Sequence, residues 1–343
     1  MRYRRNVSAA ALAAGLTLAA LAPHAQAAGE VNIYSYRQEV LIRPLLTGFT
    51  KATGIKVNVV FAKSGMIARL KAEGANSPAD VILTVDAGRL IQAREAGVLQ
   101  PIRSQALAAA IPAQYRDPDG HWFGLTVRGR PIIYSTERVK KAELSTYQAL
   151  AAPKWKGRIC IRSSSNIYNQ SMLASMIAHD GVAKTEAWAR GFVANFARKP
   201  KGGDRDQIRA VAAGVCDIAI ANTYYLAGLT VSKRASDREA ALKVRVFWPN
   251  QDGRGAHVNI SGAGVTKSSK NRANAVKLLE YLASDEAQQL YAQKVLEYPV
   301  KPGVAVAEVL EGWGKFKADK LKLAELAKHN AAAVKVADRA GWR

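Results

Sequence analysis

Apolar runs alternate with amphipathic stretches along the chain from residue 30 onward. Short runs such as VNIYSY, IKVNVVFA and ADVILTV predict buried strands, and apolar residues recur at helical spacing between them. The predicted helices cover residues 39–53, 64–74, 87–96, 145–151, 170–179, 183–197, 204–213, 224–229, 270–280, 284–293 and 318–341. Strands that alternate with helices are typical of parallel sheets covered by helices. The pattern therefore predicts an α/β fold with mixed, mostly parallel sheets.

Two long β-rich runs interrupt this alternation. The run WFGLTVRGRPIIYST at 122–136 suits a strand that crosses from one lobe to another, and GAHVNISGAGVT at 255–266 suits the return crossing. Ligands of open α/β sheets usually bind in the cleft between such units, which close by rotation about the crossing strands. The predicted units are a discontinuous first lobe at 28–128 and 261–300, a second lobe at 129–260, and a C-terminal helical segment at 301–343 that packs on the lobes.

The first 27 residues have the layout of a secretory signal peptide. Arg2, Arg4 and Arg5 precede an Ala/Leu-rich stretch, and the small-x-small triplet at 25–27 follows it. The apolar stretch is too short for a comfortable membrane span, and no later segment has the roughly 18 unbroken apolar residues that a span needs. We expect an exported protein that begins near Ala28, with a bacterial periplasm favoured over full secretion.

The chain is strongly basic, and the distribution of its basic residues indicates which kind of partner they suit. The formal net charge is +23, and loss of the three leader arginines leaves +20. Such a balance is found in nucleic-acid-binding proteins. Here the basic residues are scattered and have little aromatic interleaving, as in KADKLKLAELAKHN. A generally basic surface on an exported protein is therefore favoured over nucleic-acid binding.

The chain has two cysteines, Cys160 and Cys216. An even number in an oxidising compartment favours one disulfide. Both lie in apolar, strand-like runs, KGRICIRSSSN and AAGVCDIAIAN, so a bond would cross-link neighbouring strands if the two runs lie side by side. Two free thiols are the alternative.

Three tyrosines follow these cysteines at predicted strand-to-helix junctions. Tyr168 comes eight residues after Cys160, and Tyr224, which precedes Tyr225, comes eight residues after Cys216. If the cysteines pair across adjacent strands, the equal offsets bring the three phenols to the same end of one sheet. Neutral phenols would serve packing or the recognition of a small molecule. As phenolates they are hard ligands for Fe(III), and helix N-termini favour anionic oxygens. The residues alone leave all three uses open.

Common catalytic patterns are missing from the sequence. The histidines after residue 28 form no HExxH or HxH motif, and there is no GxSxG elbow, Walker A loop or GxGxxG helix start. Asp80 and Asp86 flank the run VILTV and are predicted to cap the ends of a strand rather than to act as paired carboxylates. No enzymatic activity is predicted.

Nearly the whole mature chain resembles the periplasmic ferric-ion-binding proteins, the iron-receptor subunits of bacterial ABC importers. The resemblance lies in VNIYSYRQ, SPADVILTVDAG, WFGLTVRGRPIIY, GRICIRSSSNIYNQS, CDIAIANTYYLAG and SGAGVTK, with NTYYL and the upstream IYNQ the most specific. It implies a two-lobe, type II-like periplasmic-binding-protein fold in which the crossing strands form the hinge. It implies that Tyr168, Tyr224 and Tyr225 bind Fe(III), taken up free or chelated, and that a monomeric receptor delivers it to an inner-membrane permease.

The sequence departs from several members of that family after its first strand. Where they supply a histidine, and sometimes a tyrosine, this chain has Gln38 and Glu39. It is therefore more similar to the subgroup in which carbonate or a similar synergistic anion completes the ligand shell. Arg37, Arg128 and Arg130 are the predicted anion-binding residues, and Gln38 and Glu39 are candidate contributors when the lobes close. A receptor for a polyamine or thiamine-like solute is the main alternative, ahead of a secreted enzyme or a polysaccharide-binding protein.

Overall fold

The protein folds around two β-sheets, one of six strands and one of four. The structure is a computed structural model that describes Met1 and residues 29–343, so the predicted signal peptide lies outside the described residues apart from Met1. The strands are β1 (Glu30–Ser35), β2 (Lys56–Phe61), β3 (Val81–Thr84), β4 (Phe123–Gly129), β5 (Ile132–Ser135), β6 (Ile159–Cys160), β7 (Ile218–Ile220), β8 (Val244–Phe247), β9 (Val258–Val265) and β10 (Tyr298–Pro299).

Each sheet forms the centre of one lobe. The first lobe has the strand order β10-β4-β9-β3-β1-β2, and the second lobe has the order β6-β7-β5-β8. β1 is parallel to β2 and β3, and β6 is parallel to β7. The other pairings between these ten strands are antiparallel. The two-lobe α/β fold is confirmed, but its sheets are less parallel than expected, because a strand that leaves a lobe and one that returns to it run in opposite directions.

The two predicted crossings connect the lobes. β4 belongs to the first sheet and β5 to the second, with only Arg130 and Pro131 between them. β9 returns beside β4, with Arg128 opposite Asn259 in the register. A Cβ at Gly129 would lie 2.7 Å from the Trp248 ring, so only glycine fits at this crossing without a shift. β9 (Val258–Val265) lies within the return crossing predicted at 255–266, and it begins three residues before residue 261, where the first lobe was predicted to resume.

Helices cover both sheets. They are α1 (Glu39–Thr53), α2 (Met66–Glu73), α3 (Ala87–Glu95), α4 (Gln105–Ala110), α5 (Ile167–Ala194), α6 (Asp204–Ala212), α7 (Thr223–Thr230), α8 (Ala235–Leu242), α9 (Arg272–Leu282), α10 (Asp285–Leu290), α11 (Glu308–Glu311), α12 (Ala324–Lys328) and α13 (Asn330–Arg339). Short 3₁₀ segments occur at Gly74–Asn76, Ala113–Tyr115, Lys141–Glu143, Gln148–Ala151 and Pro153–Trp155, and a π-helical turn occurs at Tyr291–Val295. No helix in the described part of the chain is both long and apolar enough to span a bilayer.

Several helices differ from the expected pattern. α5 contains a non-helical residue, Gly181, with φ 80°, so it consists of the two helical halves expected at 170–179 and 183–197. The segment 145–151 is partly 3₁₀ rather than α-helical, and the helix expected at 318–341 is divided into α12 and α13. α12 packs against both α3 and α5 and buries Leu326. The C-terminal segment therefore contacts helices of both lobes.

Candidate metal site

Two helices begin side by side at one edge of the second sheet. Tyr168 is the second residue of α5, and the side chain of Asn166 caps that helix by accepting a hydrogen bond from the Tyr168 backbone N–H (3.0 Å). Tyr224 and Tyr225 lie in the first turn of α7, which follows β7. Because β6 and β7 are parallel neighbours, the helices that follow them start at the same edge.

The three phenols converge there. The hydroxyl oxygens of Tyr168 and Tyr224 are 3.2 Å apart, and the rings of Tyr224 and Tyr225 are stacked at a tilt with centroids 4.1 Å apart. The three residues are 9%, 3% and 5% exposed, respectively. The convergence predicted from the sequence is thus present. Three phenol oxygens that approach one another away from bulk water are a donor set suited to a hard cation.

Cys160 and Cys216 form the predicted disulfide, with Cα atoms 5.8 Å apart. The strand register differs from the simple expectation, since Cys160 lies opposite Ala219 while Cys216 precedes β7. The equal eight-residue spacing therefore does not arise from two strands in matching register. Between Cys160 and Tyr168 the chain forms a loop, whereas between Cys216 and Tyr224 it forms strand β7. The disulfide nevertheless joins the two chain segments that end in the phenols.

Burial decides the protonation of Tyr224 and Tyr225. Burial raises the pKa of Tyr224 well above its ordinary value, and the neighbouring Tyr168 and Tyr225 raise it further. Burial likewise raises the pKa of Tyr225. Without a cation Tyr224 and Tyr225 stay protonated at neutral pH. A bound trivalent cation would reverse that preference, and its uptake would release protons.

Arginines surround the phenols. The guanidinium carbons of Arg128, Arg130 and Arg162 lie 5.6, 5.9 and 5.5 Å from the centroid of the Tyr168 ring. Arg205 lies 4.9 Å from the centroid of the Tyr225 ring. These distances are within the range of cation–π contact. The positive surroundings favour anionic oxygens at the centre of the site, whether they belong to phenolates or to a bound anion.

Arg37 and Arg128 keep donors unused. Arg37 is 2% exposed, and it donates to the Ser261 hydroxyl and to Glu297 Oε1 (2.9 Å). Its Nε has no hydrogen-bond partner among the described residues. Arg128 is 1% exposed and donates through Nη2 alone, to the carbonyl oxygens of Val85 and Ile260. Its Nη1 and Nε are without a partner within residues 29–343, so Arg128 has the larger spare capacity for an anion.

Arg130 is held by the second lobe instead. Its Nη1 donates to Asp204 Oδ2 (3.0 Å) and Asn222 Oδ1 (2.9 Å). Its Nη2 donates to Asn169 Oδ1 (2.5 Å). Both terminal nitrogens are therefore occupied by neighbouring side chains. Arg130 supports the helices that bear the phenols, and its Nε, like that of Arg37, is its one nitrogen without a partner among the described residues.

The remaining predicted residues lie at the surface. Gln38 and Glu39 are exposed, and Glu39 forms an ion pair with Arg43 on the next turn of α1. Sequence reasoning missed Glu297, a fully buried carboxylate that accepts from Arg37 and from the Thr126 hydroxyl. The only sequence signal for such a residue was the presence of predicted cleft arginines, because a buried cation requires a partner.

The histidines have other surroundings. His121 lies with Asp117 and Asp119 in a cluster able to reach one cation, but Arg94 forms ion pairs with both carboxylates. Burial lowers the pKa of His257 to about 3, so its side chain is neutral. His121 therefore shares its carboxylate partner Asp117 with Arg94, and His257 is a buried neutral side chain.

Comparison with known proteins connects this geometry to a family. The family model "Bacterial extracellular solute-binding protein" matches residues 45–318. Iron uptake protein A1 of Synechocystis is 50% identical over 315 residues, 92% of this chain and 88% of its own length. The chain belongs to the bacterial extracellular solute-binding proteins.

Within this family of solute-binding proteins, solved structures of iron-binding members are similar to the chain. A Trichodesmium protein solved with iron and citrate is 53% identical, with a TM-score of 0.86 and coverage of 92% of this chain and 100% of that one. The ferric iron-binding protein A of Mannheimia haemolytica, solved in an open conformation, is 47% identical, with a TM-score of 0.83 and coverage of 92% and 99%. The resemblance to ferric-ion-binding proteins inferred from the sequence is confirmed.

Proposed function

We propose that this protein is a periplasmic receptor that binds Fe(III) between its lobes and delivers it to an inner-membrane ABC permease. Tyr168, Tyr224 and Tyr225 are the metal ligands, and a synergistic anion completes the shell. The observation that carries the proposal is the convergence of three buried phenols between arginines. The receptor acts as an exported monomer, and it carries out no catalysis.

The charges of the site are consistent with this cargo. Three phenolates carry three negative charges and neutralise Fe(III) locally. An oxygen-rich metal shell of about six ligands leaves positions for a bidentate anion. A guanidinium matches a planar oxyanion through two parallel hydrogen bonds. We assign that contact first to Arg128, because two of its nitrogens lack partners among the described residues, and then to Arg37. Arg130 comes last, because its terminal nitrogens already bind side chains of the second lobe.

A small oxyanion completes the proposed metal shell. Carbonate is the anion we propose from the subgroup with three tyrosines, and the Trichodesmium relative was solved with citrate. Gln38 and Glu39 contribute only if the lobes close further than in the described arrangement, in which both residues are exposed. The proposed hinge lies where β4 continues into β5 and where the chain returns through β9, so the lobes at 28–128 with 261–300 and at 129–260 rotate about these crossings.

A cationic solute fits the same cleft less well. Arg128, Arg130, Arg162 and Arg205 all lie against the rings of the tyrosines. Like charges repel strongly where water is excluded, so a polyamine or thiamine-like cation would meet an unfavourable field. A ferric ion differs because the three phenols lose their protons when it binds, and the resulting phenolates and an accompanying anion offset its charge.

The direct test is the colour of the iron-loaded protein. The purified exported chain is mixed with ferric citrate, and we expect a phenolate-to-iron charge-transfer band in the visible region. The double variant Tyr168→Phe with Tyr224→Phe should lose this band. Tyr298→Phe is the matched control, since its hydroxyl has no partner among the described residues and its removal should leave the band unchanged. A band that survives in the double variant would refute the ligand assignment.

A further inference from the structure

A buried carboxylate of the first lobe contacts the helix that bears Tyr168. Asp86 caps the N-terminus of α3 by accepting from the Gly88 N–H (2.8 Å). Its other oxygen, Oδ2, accepts from Ser171 Oγ (2.7 Å) and from Asn259 Nδ2 (2.7 Å). The oxygen of the Asn259 amide in turn accepts from the Ala87 N–H (2.9 Å). We call Asp86, Ser171 and Asn259 the Asp86 cluster.

The members of the Asp86 cluster come from three parts of the fold. Asp86 precedes α3 in the first lobe, Asn259 lies on the returning strand β9, and Ser171 lies on α5 of the second lobe. They are 0%, 7% and 1% exposed. Asp86 is thus fixed to its own lobe by backbone and amide groups. The hydroxyl of Ser171 is the contact of this cluster that reaches across to α5.

Ser171 lies three residues after Tyr168, which is one turn along α5. A group that holds this turn against the first lobe therefore also holds the turn that carries the phenol. The carboxylate is buried and charged neighbours affect it: burial raises the pKa of Asp86, while the Ser171 hydrogen bond and Arg128 oppose that rise. A hydrogen bond to a buried charged group contributes more than one between neutral groups.

We propose that Asp86 is a positioning residue for the metal site: by accepting the Ser171 hydrogen bond it holds the Tyr168 end of α5 against the first lobe, stabilises the closed arrangement and slows release of the bound ion. The identity of that ion rests on the proposed function, whereas the closure itself does not. Opening about the crossing strands would separate Ser171 from Asp86 and leave the carboxylate with Asn259 and Gly88.

The chain provides a closely matched control one turn further along α5. Ser175 is also buried, at 2% exposure, and also donates to an aspartate, Asp319 Oδ2, at 3.2 Å. Asp319 belongs to the C-terminal segment, and its backbone N–H donates to the Ala256 carbonyl in the second lobe. Ser171→Ala and Ser175→Ala therefore remove the same atom from the same helix, but only the first removes a contact with the first lobe.

The experiment measures how fast iron leaves the loaded protein. Each variant is loaded with ferric citrate, excess chelator is added, and the decay of the visible band is followed. Ser171→Ala should release iron roughly ten-fold faster than the unsubstituted protein, with the band at the same wavelength because the three phenols remain. Asp86→Asn should act in the same direction. Ser175→Ala should release iron at close to the original rate.

Equal release rates in Ser171→Ala and Ser175→Ala would overturn the inference. A failure of the proposed function looks different, because then the unsubstituted protein shows no band at all. In that case the radius of gyration of each variant, measured by small-angle scattering, tests whether Asp86 and Ser171 hold the lobes together. A larger value for Ser171→Ala than for Ser175→Ala supports the cross-lobe role of Asp86, and identical values refute it.

Discussion

The two sides of the cleft are built differently. On the second-lobe side, three tyrosines lie in the first turns of α5 and α7, whose preceding segments are joined by a disulfide. On the first-lobe side, Arg37 and Arg128 are held by Glu297, Ser261 and backbone carbonyls from distant parts of the chain. We call the tyrosine-bearing side the donor side and the arginine-bearing side the opposing side. The donor side is formed by two neighbouring strand–helix junctions. The opposing side is held by contacts between residues far apart in the chain, and some of its N–H groups remain without a partner among the described residues.

The largest expected effect comes from the donor side. Tyr225→Phe should weaken iron retention by more than about 100-fold, since loss of a direct ligand exceeds the 10–100-fold loss typical of changes around a ligand. Retention is measured by competition with a chelator. Tyr291→Phe is the control, because Tyr291 is a buried tyrosine beside Arg37 on the opposing side. Equal losses of iron retention in both variants would contradict the assignment of the metal ligands to the second-lobe side.

The second effect concerns the covalent support of the donors. Cys160→Ser with Cys216→Ser should lower the free energy of unfolding by about 2–5 kcal/mol, because the native cross-link closes a long loop. Chemical denaturation of the iron-free protein measures this change. The iron-loaded variant should keep its visible band, because helices α5 and α7 carry the phenols and neither helix contains a cysteine. A complete loss of the band in a folded double variant would show that the disulfide itself sets the donor geometry.

The smallest effect separates two arginines of the crossing segment. Arg128→Gln should raise the bicarbonate or citrate concentration needed for the full band by about ten-fold, because it removes charged donors that are free to bind an anion. Arg130→Gln should chiefly lower thermal stability, because it leaves the buried Asp204 without one of its ion-pair partners. If Arg130→Gln needed more anion for the full band than Arg128→Gln did, the anion site would be assigned to Arg130 instead.

Local patterns predicted much of the donor side. The helix expected at 39–53 has the same bounds as α1, and the strand-to-helix junctions that carry the tyrosines lie where expected. These features depend on periodicity and capping within a few residues, which a single sequence contains. Cys160 and Cys216 added one long-range constraint, because pairing was favoured in an oxidising compartment.

The opposing side was less accessible to sequence reasoning. Glu297 follows Leu296, a non-glycine residue with φ 62°, and its contacts with Arg37 join positions 260 residues apart. No periodicity encodes such a pair. Short helices such as α8 and α11 were missed because they contain too few turns to display a repeat. The segment 318–341 was predicted as one helix, because its helical pattern continues through the break at His329 between α12 and α13.

The position of α12 restricts how the cleft opens. This helix rests on α3 and α5 at once, and its Leu326 is 2% exposed. Pulling the lobes straight apart would bring that apolar contact into water at a cost in free energy. A rotation that keeps α12 packed on α3 and α5 avoids this cost and widens the cleft on the side away from α12. The C-terminal segment thus acts as a pivot for the lobes, and the direction in which the cleft opens depends on a short helix near the end of the chain.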